Sequence, residues 1–439
     1  MTNHRGCSVV AVLVALLSRH VVIVRAQDII PRTDVVIDDT ETRDDVVYVD
    51  TSPLGTDFYE YETLNIQLLD EGPVWTLRNT FKTGAYFDGE TKDHMISISL
   101  MRYTSENTGQ SVVTGVVHDR KESLFYEIRP DHKGRETVLM TLEDDMPPLG
   151  DPIQPSFLER ITTFGDSTSI ASTWNYRINN FLGIQRQDPG PTIIDVMIIW
   201  TESTECYKSG LSTGCSRSST TQTNMEAAVD LMIQETNTAL TNSDTGAQIR
   251  LVHRQVDSSG YRESRMTTTL RQVSDVDGVM DYIHSLRNQY RADLVQFIVD
   301  NRVDADGLGG VAWLPQCNGL GCWNSALGFS CICAQCMMNY ISAHEFGHNL
   351  NCLHDRGTAN ACSTCDTSNY GYRSPNGNFR SIMAYRCRTG ECDNNPGGSC
   401  PRIGFYSGNF QYNGESVGGD TNNCAGEITN MMFHIHNYR

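Results

Sequence analysis

Short β-branched or alternating apolar runs recur in the first third of the chain, at 95–101, 111–117 and 123–128, with turn residues between them. That pattern predicts a mostly β region. The Pro-rich stretch 146–155 predicts a bend or the end of an element, and 187–192 reads as a connector. Beyond it the periodicity changes. A strong apolar strand is expected at 193–200, then a Ser/Thr-rich loop at 201–223 and an amphipathic helix at 224–240. A strand at 248–255, a helix at 276–290 and a buried strand at 293–300 follow. Strand and helix in alternation predict an α/β layer, helices covering a sheet. Residues 339–350 contain no Pro and no long β-branched run, so a helix is expected there, and another at 426–434.

Composition adds a compartment and a division. His4 and Arg5 precede a nearly unbroken apolar run at 7–17, and Val24, Arg25 and Ala26 offer a cleavage site. This is the layout of a secretory signal peptide removed after Ala26, and a secreted, extracellular protein is expected. No later stretch reaches the ~20 apolar residues of a bilayer crossing, so no membrane span is expected after signal removal.

Of fifteen cysteines, fourteen lie between Cys206 and Cys424, an even number consistent with up to seven disulfides. Cys206 with Cys215 and Cys317 with Cys322 could close short loops. Cys362 and Cys365 have zinc-ligand spacing, but an oxidising compartment favours disulfides there. Residues 27–190 hold no cysteine and 29 acidic against 14 basic side chains; residues 191–439 hold 24 against 17. Two domains are expected at those boundaries, after a signal peptide at 1–26. The net charge of −19 leaves no basic stripe for phosphates, which argues against a nucleic-acid partner.

The chemistry concentrates at 344–354. His344 and His348 are four residues apart, so on a helix they point from one face and can hold one ion. Glu345 stands close enough to reach a metal-bound water without being a ligand. A third ligand is needed, and His354 can supply it if the chain turns sharply near Asn351, a residue that tolerates the left-handed conformation. Three imidazoles and an open position suit Zn2+; calcium or magnesium would take oxygen ligands.

The segment from His344 to Asp355 resembles the extended zinc signature of the metzincin metallopeptidases, closest to the adamalysin or reprolysin-like branch. Residues 381–385 resemble the Met-turn, which implies that Met383 forms an apolar floor beneath the imidazoles. The strand at 194–201, the stretch 309–314 and Phe329 with Ser330 are similar to that branch too. The resemblance covers 193–439, with two departures. Asn351 stands where the family has Gly, and Tyr385 after the Met-turn is similar to the astacin branch, where such a Tyr can approach the metal or stabilise the transition state.

The implied fold is α/β: a twisted mixed sheet with helices, an active-site helix and an irregular disulfide-rich lower subdomain, preceded by a mostly β prodomain. The implied activity is a zinc-dependent metalloendopeptidase acting on proteins or peptides, with Glu345 as base and Asp355 as a supporting group beside the ligands. Substrate is expected along an edge formed by Gly309, Gly310, Val311, Ala312, Trp313 and Leu314. Phe329, Trp323 and Trp313 could wall a pocket or belong to the core. The cysteine-free prodomain is expected to act as an intramolecular inhibitor, and Asp166 sits in a stretch similar to the astacin aspartate switch. A structural Ca2+ stays open, with no pattern for it in the sequence. A catalytically inactive secreted binding protein, or a zinc hydrolase of small amides or esters, is the alternative.

Overall fold

The computed structural model describes residues 23–29, 46–50, 63–66, 74–83, 86–143, 146–154, 190–212, 214–300, 307–315, 317–318, 321–322, 324–362, 367–392, 397–398 and 400–439. Nine strands come first: β1 (Ile23–Ile29), β2 (Val46–Asp50), β3 (Thr63–Ile66), β4 (Trp75–Thr83), β5 (Tyr86–Glu90), β6 (Ile96–Thr104), β7 (Ser111–Asp119), β8 (Leu124–Pro130) and β9 (Glu136–Leu142). They close a barrel in the order β1-β2-β9-β8-β7-β6-β5-β4-β3, antiparallel except where β1 meets β3. The three strands expected at 95–128 fall within it. The expected cleavage point after Ala26 falls within β1.

Strand alternation sorts the barrel's apolar side chains. Ile98, Leu100, Val113, Val117 and Ile128 fill the interior. Met101, Tyr103, Val112, Val116 and Phe125 point outward and join the core of the following region. Burial on both faces explains why 111–117 reads as almost continuously apolar rather than alternating. Buried polar contacts reinforce this junction: Lys208 Nζ lies 2.7 Å from Glu127, and Tyr103 donates to Glu226 at 2.9 Å.

The second sheet comprises β10 (Thr192–Trp200), β11 (Ala247–Val256), β12 (Leu294–Val299), β13 (Gly310–Ala312) and β16 (Phe329–Cys333), with the ribbon β14 (Cys317–Asn318) and β15 (Gly321–Cys322) between the last two. Its order is β11-β10-β12-β16-β13. The first four are parallel, and β13 runs antiparallel to β16 at the edge. This is the mixed sheet expected.

Among the described residues six α-helices accompany it: α1 (Glu202–Lys208), α2 (Ser219–Asn242), α3 (Met266–Ser274), α4 (Tyr282–Tyr290), α5 (Ile341–Asn349) and α6 (Cys424–Ile435). Four differ from the hydrophobic reading. α1 lies in the expected loop, because its buried face is Thr204, Glu205, Cys206 and Lys208, without an apolar repeat. α2 starts earlier than its first apolar residue, at a capping box in which Ser218 and Thr221 bond each other's backbone. α4 is shorter than 276–290, since Gly278 and Met280 have φ of 92° and 58° and break the run ahead of it. α3, with Met266, Leu270 and Val273 buried on one face, was hidden by its run of β-branched threonines.

The chain between α5 and α6 is irregular apart from the ribbon β17 (Gln411–Tyr412) and β18 (Glu415–Ser416). Disulfides hold it: Cys352–Cys424, Cys362–Cys392 and Cys387–Cys400. Cys206–Cys215, expected as a short loop, is formed, and Cys333–Cys336 is a further bridge. Cys317 and Cys322 are backbone partners; their side chains, with Cys365, Trp323 and Asp166, lie outside the described residues. Cys362, being bridged to Cys392, is not a thiolate ligand. Among the described residues no helix is long and apolar enough to cross a membrane.

Candidate metal centre

α5 carries His344, Glu345 and His348 on a turn of helix that is wholly buried. It ends at Leu350, and Asn351 follows with φ of 69°, in the left-handed conformation the return to His354 requires. The Asn351 side chain also donates to Glu427 at 2.6 Å, anchoring the turn on α6. The turn brings His354 Nε2 to 3.2 Å from His344 Nε2 and 3.1 Å from His348 Nε2. Three ring nitrogens therefore converge on one point, the only such cluster of potential ligands among the described residues.

The opposite ring nitrogens are occupied. His344 Nδ1 lies 2.9 Å from the Ile382 carbonyl and His348 Nδ1 2.7 Å from the Cys352 carbonyl, so each donates there and keeps its Nε2 lone pair for a ligand. His354 Nδ1 faces Asp151 at 3.4 Å. Burial, then the neighbouring imidazoles, hold His344 and His348 well below the ordinary histidine pKa, which favours the neutral form a metal needs. Buried neutral imidazoles with converging lone pairs fit a zinc ion.

Glu345 is the second sign of a missing partner. Its carboxylate is fully buried and neither oxygen has a hydrogen-bond partner among the described residues. Burial pushes its pKa well up, and the Arg402 guanidinium opposes that. The carboxylate fits only because residue 310 is glycine: a Cβ on Gly310 would sit 2.3 Å from Oε1. β13 therefore passes its backbone directly against the candidate base.

Met383 is fully buried under α5, and a Cβ on Gly347 would lie 2.4 Å from its Sδ, so Gly347 permits the close approach of helix and floor. Asp355 accepts from the Tyr385 N–H at 2.9 Å and from Thr358, and pairs with Arg373 at 3.0 Å. It ties the turn after Met383 to the third histidine's loop. Tyr385 lies tilted against His354 with ring centroids 4.2 Å apart, and its hydroxyl donates to the Leu149 carbonyl at 2.6 Å.

The expected edge Gly309 to Leu314 lies at the rim of the sheet, and it is paired. Residues 148–153 run parallel to it: Gly309 donates to Pro148, Gly150 to Gly310, Ile153 to Ala312 and Leu314 to Ile153. The same strap supplies Asp151 and Leu149 to the site. No motif marks it; its prolines predicted a bend, and pairing across more than 150 residues is invisible to local pattern. Trp313 and Phe329 are core residues, with Trp313 Nε1 donating to Ser274 at 3.0 Å. Arg402, also missed, stands in a group of arginines flanking the Met-turn that is conspicuous in so acidic a chain.

Residues 203–408 match the family described as metallo-peptidase family M12B, reprolysin-like. A peptidyl-Asp metalloendopeptidase of Xanthomonas campestris is 28% identical over 310 residues, covering 70% of this chain and 62% of its own. One from Stenotrophomonas maltophilia is 27% identical over 314 residues, covering 70% and 63%. The chain thus matches about three-fifths of the length of these relatives. A solved structure, metalloproteinase-II from Bacteroides fragilis, overlays at a TM-score of 0.33 and 12% identity over 67% of this chain and 81% of its own, too low to bear on the fold.

Proposed function

We infer a metzincin-type metallopeptidase from the similarity of residues 203–408 to reprolysin-like metallopeptidases together with the mixed sheet, the disulfides and the N-terminal β region. From this premise we propose that the protein is a zinc-dependent endopeptidase, secreted as a precursor, that hydrolyses internal peptide bonds of proteins. The observation that carries the reading is the convergence of three Nε2 atoms beside a buried carboxylate without a partner. His344, His348 and His354 hold the ion, over Met383. Zinc bound there would polarise the scissile carbonyl and acidify a water molecule.

Glu345 accepts the proton of the attacking water and delivers it to the departing nitrogen, a role suited to a carboxyl whose pKa burial has raised. β13 aligns an extended substrate through main-chain hydrogen bonds. Tyr385, once its hydroxyl is released, donates to the developing oxyanion. Asp355 keeps Tyr385 and His354 in register. The aspartyl preference in the relatives' names is carried over to this chain within the same reading.

The β barrel and strap act as the latent enzyme's inhibitor. Residues 148–153 use the hydrogen bonds of β13 that a substrate would use, and Leu149 engages Tyr385. Domain boundaries at 26 and 190 place the processing site in the connector. An inactive binding relative would have no need of Glu345, and a small-amide hydrolase no need of an edge strand. The test is Glu345→Gln: zinc content by metal analysis stays near one per chain while cleavage of a denatured protein falls about 1,000-fold or more. Retained turnover, or a protein that holds no zinc, would sink the reading.

A further inference from the structure

Beside the histidines, between the start of α5 and the chain after Met383, lies a cavity of about 300 Å³. Ile341, Tyr385, Pro148 and Leu149 form part of its wall, and Arg380, Arg386, Arg388 and Arg402 line it as well. Concentrating four guanidinium groups at one cavity in a chain of net charge −19 calls for an anion. Arg380 and Arg402 are buried, at 2% and 5% exposure. Arg402 donates from Nη1 to the Asn339 carbonyl at 2.9 Å, but its Nε is buried without a hydrogen-bond partner among the described residues. Burial, with Arg380 and Arg386 nearby, pushes Arg402 down to about 9. Such a group wants a carboxylate.

The cavity wall offers a single carboxylate, Glu143, which sits just beyond β9 and is buried. Glu143 pairs with Arg380 and eases the charge on Arg402 and Arg386. It comes from the barrel, on the same stretch of chain that continues into the strap on β13. The cavity adjoins the chemistry: the Arg402 charge acts on His344 and Glu345, and Tyr385 in the wall lies tilted against His354.

We propose that this cavity receives an acidic side chain of the substrate, read by Arg402 and Arg380, and that Glu143 occupies it in the unprocessed chain in place of that side chain. The proposal rests on the endopeptidase reading and assigns its specificity to named residues. An uncharged amide of the same shape leaves the guanidinium groups buried without a counter-charge, so discrimination comes as much from rejecting the amide as from binding the acid. Glu143 gives latency by the same contact: the barrel's own carboxylate must leave before a substrate's can enter.

The test uses the zinc-loaded secreted protein, both unprocessed and cleaved in the 187–192 connector, and four peptides identical except for Asp, Glu, Asn or Leu after the scissile bond. Cleavage of the Asp peptide should exceed that of the Asn peptide by about 100-fold or more in kcat/KM. Glu143→Gln should raise the rate on the Asp peptide about tenfold by freeing the pocket. Adding Arg402→Met should bring the Asp-to-Asn ratio to within about threefold, and Arg402→Lys to an intermediate value. If Arg402→Met does not fold, the ratio in the Glu143→Gln and Arg402→Lys proteins decides. Cleavage without preference between Asp and Asn, or a preference untouched by either Arg402 substitution, would overturn the pocket alone. Failure of zinc-bearing processed protein to cut any of the four would overturn the endopeptidase reading, and the pocket with it.

Discussion

Replacing Gly310 by alanine changes one hydrogen to a methyl group at the point where β13 crosses Glu345. The added carbon would lie 2.3 Å from Oε1, 2.8 Å from Cδ and 2.9 Å from Cγ, where ordinary contact begins near 3.4 Å. Something must move by about 1 Å. β13 cannot retreat cheaply, since Val311 is buried and the strand is hydrogen-bonded on both sides, to β16 and to the strap. The carboxylate moves instead, and a misplacement of about 1 Å of a reacting group costs on the order of 100-fold in rate, or about 2.7 kcal/mol of barrier. Because the methyl group faces the carboxylate and not the ring nitrogens, zinc content should be unaltered. The assay is kcat/KM on a peptide, with metal analysis and thermal unfolding on the same preparation. A folded, zinc-bearing Gly310→Ala protein with activity within about threefold of the parent would refute the reasoning, because Glu345 would then not need the position it occupies.

Three other perturbations have defined outcomes. Asn351→Ala forces a residue with little tolerance for φ of 69° into the turn and deletes the bond to Glu427, so stability should fall by about 1–2 kcal/mol in denaturant unfolding and zinc should be lost at lower chelator concentration; unchanged chelator sensitivity would count against the turn's role. Cys352 and Cys424 are 72 residues apart, and replacing both by alanine should cost about 4 kcal/mol by loop entropy, with loss of α6 protection in hydrogen exchange; a cost below about 1 kcal/mol would show that packing alone holds this subdomain. His118 is buried, its pKa lowered from 6.5 to about 3 by burial first and then by Arg120 and Arg402. The folded chain keeps this imidazole neutral while the unfolded chain protonates it, so its contribution is intact above pH 6.5 and is lost as pH falls toward 3. Between pH 7 and 4.5 the parent should therefore lose about 2–3 kcal/mol more than His118→Leu, and parallel pH profiles of unfolding would contradict this.

The candidate metal ligands and base were legible because their constraint is local. His344 and His348 must share a helical face, Glu345 must stand beside them, and Asn351 must turn left-handed; each is a matter of a few successive dihedral angles. The strands of the sheet were legible for the same reason, since 193–200 and 293–300 are largely buried and read as mostly apolar runs. α1 was not, because its buried face is polar and is satisfied by partners far along the chain, such as Lys208 on Glu127. The sequence by itself thus determined which residues could hold a metal ion, which could act as base and that all but one of the cysteines lie between Cys206 and Cys424. Only the tertiary structure decided that Gly310 is the space Glu345 occupies, that 148–153 pairs along β13 and that Glu143 meets Arg380. Those are contacts between segments separated by 35 to 237 residues, and no periodicity records a partner that distant; it is specified only when the whole chain packs.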